Sequence, residues 1–220
     1  CLPVCPLDLI TSQSHQLSPS TVVEQLEKYN IDAIEIHTQA GRETEFQRLW
    51  KALQPIIPSL KIIAISCPDD PNLIDYLQTL YETISPLPCP LIWQTDGRPM
   101  SGDLGKGATR ASVKLAQKVL KANLPGYVQL AGGTNQHTVF KLQSAQLLNA
   151  PPHFPQSYIA GIAYGSFARS QLSSFLESLE PTQINHASLQ LEENPQLLWE
   201  AVSQADALVS QLKRPQTTCN

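Results

Sequence analysis

Five short apolar runs, each closing in small or polar residues, recur at near-even intervals: IDAIEIHT (31–38), LKIIAISC (60–67), PLIWQTDG (90–97), GYVQLAGG (126–133) and YIAGIAYG (158–165). Their starts lie 29, 30, 36 and 32 residues apart. Near-continuous Ile, Leu and Val suits strands covered on both faces, and each interval has room for one helix and two short loops. The pattern predicts successive βα units with right-handed crossovers, and hence an α/β fold with a parallel sheet.

The intervening segments carry the matching helical period. In ETEFQRLWKALQP, Phe46, Leu49, Trp50 and Leu53 fall at i, i+3, i+4 and i+7, and Pro55 closes the run. In PNLIDYLQTLYETIS, Pro71 stands near the helix start and Leu73, Leu77, Leu80 and Ile84 share one face. ATRASVKLAQKVLKAN and TNQHTVFKLQSAQLL supply two more helices, the second with Thr134 or Asn135 as expected N-cap. A helix near Thr21–Tyr29 precedes the first strand. Five units of this length match the spacing of a (β/α)8 TIM barrel without being able to close one. An open doubly wound sheet is one solution. A partial TIM-barrel-like domain, its first three strands lying before Cys1, is the other.

Two loops favour the barrel. AGGTN (131–135) and AYGSFARS (163–170) end the last two runs and pass directly into helices. In phosphate-binding barrels an anion sits between such loops, held by backbone N–H groups where glycine lets the chain come close. Gly132, Gly133, Gly165 and Ser166 are placed for that, with Arg169 as a charge-assisted donor. The longer loop TDGRPMSGDLGKGATR (95–110) adds Lys106 at a helix start, although GxxxxGK[ST] is absent. The expected ligand is FMN or phosphate; tight strand-to-helix turns are the competing explanation of the same glycines. His37 ends its strand on the same side. The sequence has no nucleophile with an adjacent base, no HExxH and no acidic pair, so it names no reaction.

A net charge of −4 without a Lys/Arg block gives no electrostatic footprint for nucleic acid, and no apolar run reaches the length of a membrane span. Five cysteines, an odd number scattered over 220 residues, fit a reducing cytoplasm better than a disulfide framework. Residue 1 being Cys admits a mature lipoprotein, a processed N-terminal nucleophile or a piece of a longer protein, and the last is the reading adopted. CLPVCP matches the second half of the ferredoxin run C-x2-C-x2-C-x3-C-P, whose thiolates hold [4Fe–4S] clusters. Cys67 and Cys89 fall at opposite ends of neighbouring strands, so they are not expected to share a cluster with each other. The remaining thiolates are expected before residue 1.

CLPVCPLDLI, IWQTDGRPMSGDLGKGATRASVKLAQ, QLAGGTNQHTV and GIAYGSFAR together resemble the light-dependent-period (LdpA) family of iron–sulfur proteins of cyanobacteria, over essentially the whole chain. The resemblance implies a two-cluster ferredoxin module ahead of this region, with Cys1 and Cys5 as cluster ligands. It also implies a redox sensor that relays photosynthetic electron flow, and so light intensity, to the circadian clock. Its implied partners are electron carriers and clock proteins including an input histidine kinase. The expected organisation is the end of a ferredoxin-like module at 1–10, a βα-repeat barrel-like domain at 11–180 and a C-terminal helical extension at 181–220. In that extension Leu198, Val202, Ala205, Val209 and Leu212 keep a 4-3-4-3 spacing, expected to pack on the barrel-like part, with an interaction role as the competing reading. The alternative function is an oxidoreductase of flavin- or phosphate-binding barrel type coupled to the ferredoxin module.

Overall fold

The structure, a computed structural model, describes residues 16–97, 108–148, 158–179 and 190–213. All five expected strands are present: β1 (Ala33–His37), β2 (Ile62–Pro68), β3 (Leu91–Asp96), β4 (Tyr127–Ala131) and β5 (Ile159–Ile162). They form one parallel sheet in the order β1-β2-β3-β4-β5. The order never reverses, so the crevice of a doubly wound sheet, which needs such a reversal, does not arise within this sheet.

The helices are α1 (Pro19–Leu26), α2 (Glu43–Leu53), α3 (Leu73–Ile84), α4 (Ala108–Lys121), α5 (Thr138–Ser144), α6 (Ser166–Glu177) and α7 (Pro195–Lys213). Helix α1 starts where Ser18 accepts the Thr21 N–H at 3.2 Å and Pro19 supplies a preset φ. At α5 neither expected cap holds. His137 occupies the cap position without a side-chain bond, while the Asn135 side chain accepts the His137 N–H at 2.9 Å in a turn just before the helix.

One face of the sheet carries the core. Ile36, Ile63, Ile65, Cys67, Leu91, Trp93, Val128, Leu130 and Ile159 pack with Phe46, Trp50, Tyr76, Leu77, Leu80, Val113, Ala116, Val119 and Leu142 from α2 to α5. Trp93 is its largest fully buried member, and its indole N–H donates to Pro125 O at 2.9 Å. The opposite face follows from the period of two. Glu35 and His37 on β1, Ser66 on β2, Gln94 on β3 and Gln129 on β4 alternate with the core residues, and the register aligns His37, Ser66, Gln94, Gln129 and Gly161 in one row. None of these joins the core cluster.

Helix α7 departs from expectation. Ala201 is its buried residue, with Leu197 and Leu208 half-buried, and Gln204 bonds Gln171 of α6 at 3.1 Å. Val202, Ala205 and Val209 of the expected stripe are exposed. Leu198 and Leu212 of that stripe are half-buried like Leu197, so the stripe is met at its two ends and not in its middle.

Candidate functional site

The C-terminal ends of β3 and β4 meet the start of α4 in a joint of hydroxyls and glycines. Gly132 and Gly133 follow β4 in the left-handed region, at φ 68° and 70°, which glycine enters without a Cβ penalty. Their carbonyls are taken by α4: Ser112 Oγ donates to Gly132 O, and Thr109 Oγ1 donates to Gly133 O at 2.8 Å. Asn135 Nδ2 donates to Thr109 Oγ1 at 2.9 Å, and the Asn135 N–H to Thr138 Oγ1 at 2.8 Å. Thr109, Ser112 and Thr138 are all buried. Gly97, after β3, lies so close that a Cβ there would stand 2.6 Å from the Ser112 nitrogen. The glycines of this joint therefore let two strand ends touch a helix.

The loops after β4 and β5 are neighbours, since Thr134 Oγ1 donates to Ala163 O at 2.8 Å. Gly165, Ser166 and Arg169 are exposed, and Gly165 takes the cap position of α6 with open space where its side chain would be. Gly132 and Gly133 are half-buried. On the loop after β5, the Tyr164 hydroxyl is buried with no hydrogen-bond partner among the described residues, and burial pushes its pKa up. Lys106, Cys1 and Cys5 lie outside the described residues.

A second feature lies at the ends of β1, β2 and β3. A cleft of about 580 Å³ is lined by Ile36, Phe46, Leu49 and Pro68 on its apolar side and by His37, Thr38, Arg42, Ser66 and Asp96 among its polar groups. His37 Nε2 stands 2.8 Å from Glu35 Oε1. Gln94 Nε2 donates to that same Glu35 oxygen and, at 3.2 Å, to Ser66 Oγ. Arg42 pairs with Glu45 at 2.7 Å, a hydrogen bond that holds the Glu45 carboxyl below the usual carboxylate range. Thr38 meets the Tyr76 hydroxyl, whose pKa is raised by burial. Of the residues bonded around Glu35 the sequence singled out only His37. The cluster draws on three strands, and its bond from Gln94 to Glu35 joins residues 59 apart; the one local signal was the alternation in AIEIH, which turns Glu35 and His37 to the same face.

The described cysteines do not fit a metal cluster. Cys67 is 3% exposed and burial pushes its thiol up to about 12, so the thiolate a metal requires is disfavoured. It pairs in register with Thr95 near the end of β3, whereas Cys89 precedes that strand, as expected from sequence.

Strand order, glycine joint and polar cleft define an α/β protein of successive βα units with candidate binding features at the strand C-termini. The chain belongs to the light dependent period A family: the model of the family's C-terminal domain matches residues 25–211. It is 50% identical over 214 residues, 97% of its length, to "Light dependent period A" of Synechococcus elongatus. The chain spans 58% of that relative's length. No solved structure matches it significantly. Among the described residues no helix is long and apolar enough to cross a membrane.

Proposed function

We propose that this protein adjusts the period of the circadian clock to light by sensing the redox state of photosynthetic electron carriers, in the cytoplasm and in contact with clock proteins including an input histidine kinase. The observation that carries this reading is the 50% identity to Light dependent period A across 97% of the chain. In it, Cys1 and Cys5 hold a [4Fe–4S] cluster with thiolates from elsewhere, and the cluster supplies a one-electron couple tuned by nearby charge, hydrogen bonds and exposure. The βα-repeat domain is the part that communicates with partners, and its unreversed strand order supports a partial TIM-barrel-like architecture. A rescue experiment tests the reading. Substituting this chain for the corresponding portion of the Synechococcus elongatus relative should preserve a clock period that varies with light intensity; a period indifferent to light would overturn it.

A second reading is a flavin- or phosphate-binding oxidoreductase. It draws support from the Thr134–Ala163 bond, which brings the two glycine loops together, and from the open space beyond Gly165. Gly132, Gly133, Gly165, Ser166, Arg169 and Lys106 would hold the phosphate. FMN or phosphate should then raise the melting temperature and Gly133→Val should abolish the rise; a flat response in the unaltered chain removes this reading.

A further inference from the structure

Charge is unevenly spread along this chain. Residues 98–121 hold six of its fifteen Lys and Arg and one of its nineteen Asp and Glu, a surplus of five positive charges, whereas the rest of the chain carries a surplus of nine negative ones. On α4, Arg110, Lys114, Lys118 and Lys121 stand at i, i+4, i+8 and i+11, which confines them to an arc of about 80° and a length of about 16 Å. Arg110, Lys114 and Lys121 are exposed, and none of the three makes an ion pair or side-chain hydrogen bond among the described residues. Lys118 reaches across to the loop before α3, donating to Asp69 Oδ1 at 2.9 Å and to Asp70 O at 2.6 Å.

The stability of α4 does not account for this row. Arg110 lies in the first turn, where the helix dipole disfavours a cation, and that turn has no acid. Arg110 with Lys114, and Lys114 with Lys118, are like-charged pairs at i, i+4, which weaken a helix. The row instead borders a shallow groove of about 530 Å³, lined by Ile74 of α3 and by Lys114, Gln117, Lys118, Lys121 and Ala122. On the α3 side stand Asp69, Asp70 and Asp75; Asp69 is spent on Lys118, and Asp70 accepts the Asn72 N–H at 2.8 Å. The groove therefore presents Lys114 and Lys121 as its uncommitted charges, beside the apolar surface of Ile74 and Ala122.

We propose that this groove docks an acidic segment of a partner protein, with carboxylates on Lys114 and Lys121 and an apolar side chain on Ile74 and Ala122. Charge complementarity of this kind speeds encounter and fixes register. A protein segment fits better than a nucleic acid or an anionic membrane, because the row is short and the negative remainder of the chain repels a long polyanion or a flat anionic surface beyond it. The site does not rest on the redox-sensing reading.

The probe is a fluorescein-labelled peptide, a run of glutamates with two leucines at its centre, titrated into the purified 220-residue chain at low ionic strength and followed by fluorescence anisotropy. Saturable binding is expected, weakened about tenfold or more when salt is raised to about 0.2 M, where the Debye length is under about 10 Å. Lys114→Glu with Lys121→Glu should weaken it at least about tenfold. Lys28→Glu with Lys51→Glu, which changes net charge equally at exposed lysines elsewhere, should leave it within about twofold. A version of the peptide with glutamine for glutamate should not bind. No saturable binding at low salt, equal losses in the two double variants, equal binding of the glutamine peptide, or tighter binding of a DNA duplex or of phosphatidylserine vesicles would overturn the proposal. Circular dichroism reports folding; should the first double variant fail to fold, Lys114→Gln with Lys121→Gln is compared with Lys28→Gln and Lys51→Gln instead.

Discussion

Thr109→Val removes a single hydroxyl from the joint between α4 and the β4 loop while keeping its shape. That hydroxyl donates to Gly133 O at 2.8 Å and accepts from Asn135 Nδ2 at 2.9 Å, at a residue 2% exposed. Valine leaves both partners behind, and each orphaned buried polar group costs roughly 1–3 kcal/mol. Asn135 is only half-buried and can reach water, so the sum is about 2–4 kcal/mol. With a urea slope of about 2 kcal/mol per molar, the unfolding midpoint should fall by about 1–2 M. Thr109→Ser keeps the hydroxyl and loses one methyl, so about 1 kcal/mol is expected. Urea titration followed by circular dichroism measures all three chains. A valine variant within about 0.5 kcal/mol of the parent, or a serine variant equally damaged, would refute the idea that Thr109 pins the glycine turn.

Two further outcomes follow from the packing. Gly97→Ala places a methyl 2.6 Å from the nitrogen of Ser112, a backbone atom, so α4 must move off the sheet. Overpacking of this kind costs about 1–3 kcal/mol, readable as a lowered melting temperature, and an unchanged melt would contradict the close approach. Cys67, its thiol pushed up from the usual range to about 12 by burial, keeps the neutral form in the folded chain. Its contribution to stability is complete below about pH 9 and is lost as pH rises towards 12, at up to roughly 1.4 kcal/mol per pH unit. Cys67→Ala should flatten that part of the alkaline decline in urea titrations across this window; an identical slope in both chains would count against it.

Much of the scaffold was legible because the strands are apolar runs and the helices carry their own stripe. IIAISC reads as a buried strand whatever surrounds it, and Phe46, Trp50 and Leu53 face the core as their spacing required. The strand order was less accessible, since both arrangements considered use the same local elements and differ only in which strands pair. Caps misled at α5 because Thr134 turns to Ala163 O and Asn135 closes its own turn, leaving His137 at the boundary. The stripe on α7 was read in part: Leu198 and Leu212 are half-buried, whereas Val202, Ala205 and Val209 are exposed and Ala201, outside the 4-3-4-3 spacing, is buried. At the glycine loops the sequence indicated close approach; the structure adds that Thr109 and Ser112 are what Gly133 and Gly132 approach. The Glu35–Gln94–Ser66 cluster was beyond local reading, because it depends on register between strands about thirty residues apart in sequence.

Cluster-dependent light input is tested most directly by clock period in living cells. In Synechococcus elongatus carrying this chain in place of the matching part of its own protein, reporter rhythms are recorded under dim and bright light, with Cys1 and Cys5 intact or both changed to serine. The period should differ between the two intensities with the cysteines intact and become the same when they are replaced. An undiminished dependence on light in the serine variant would contradict the redox-sensing account.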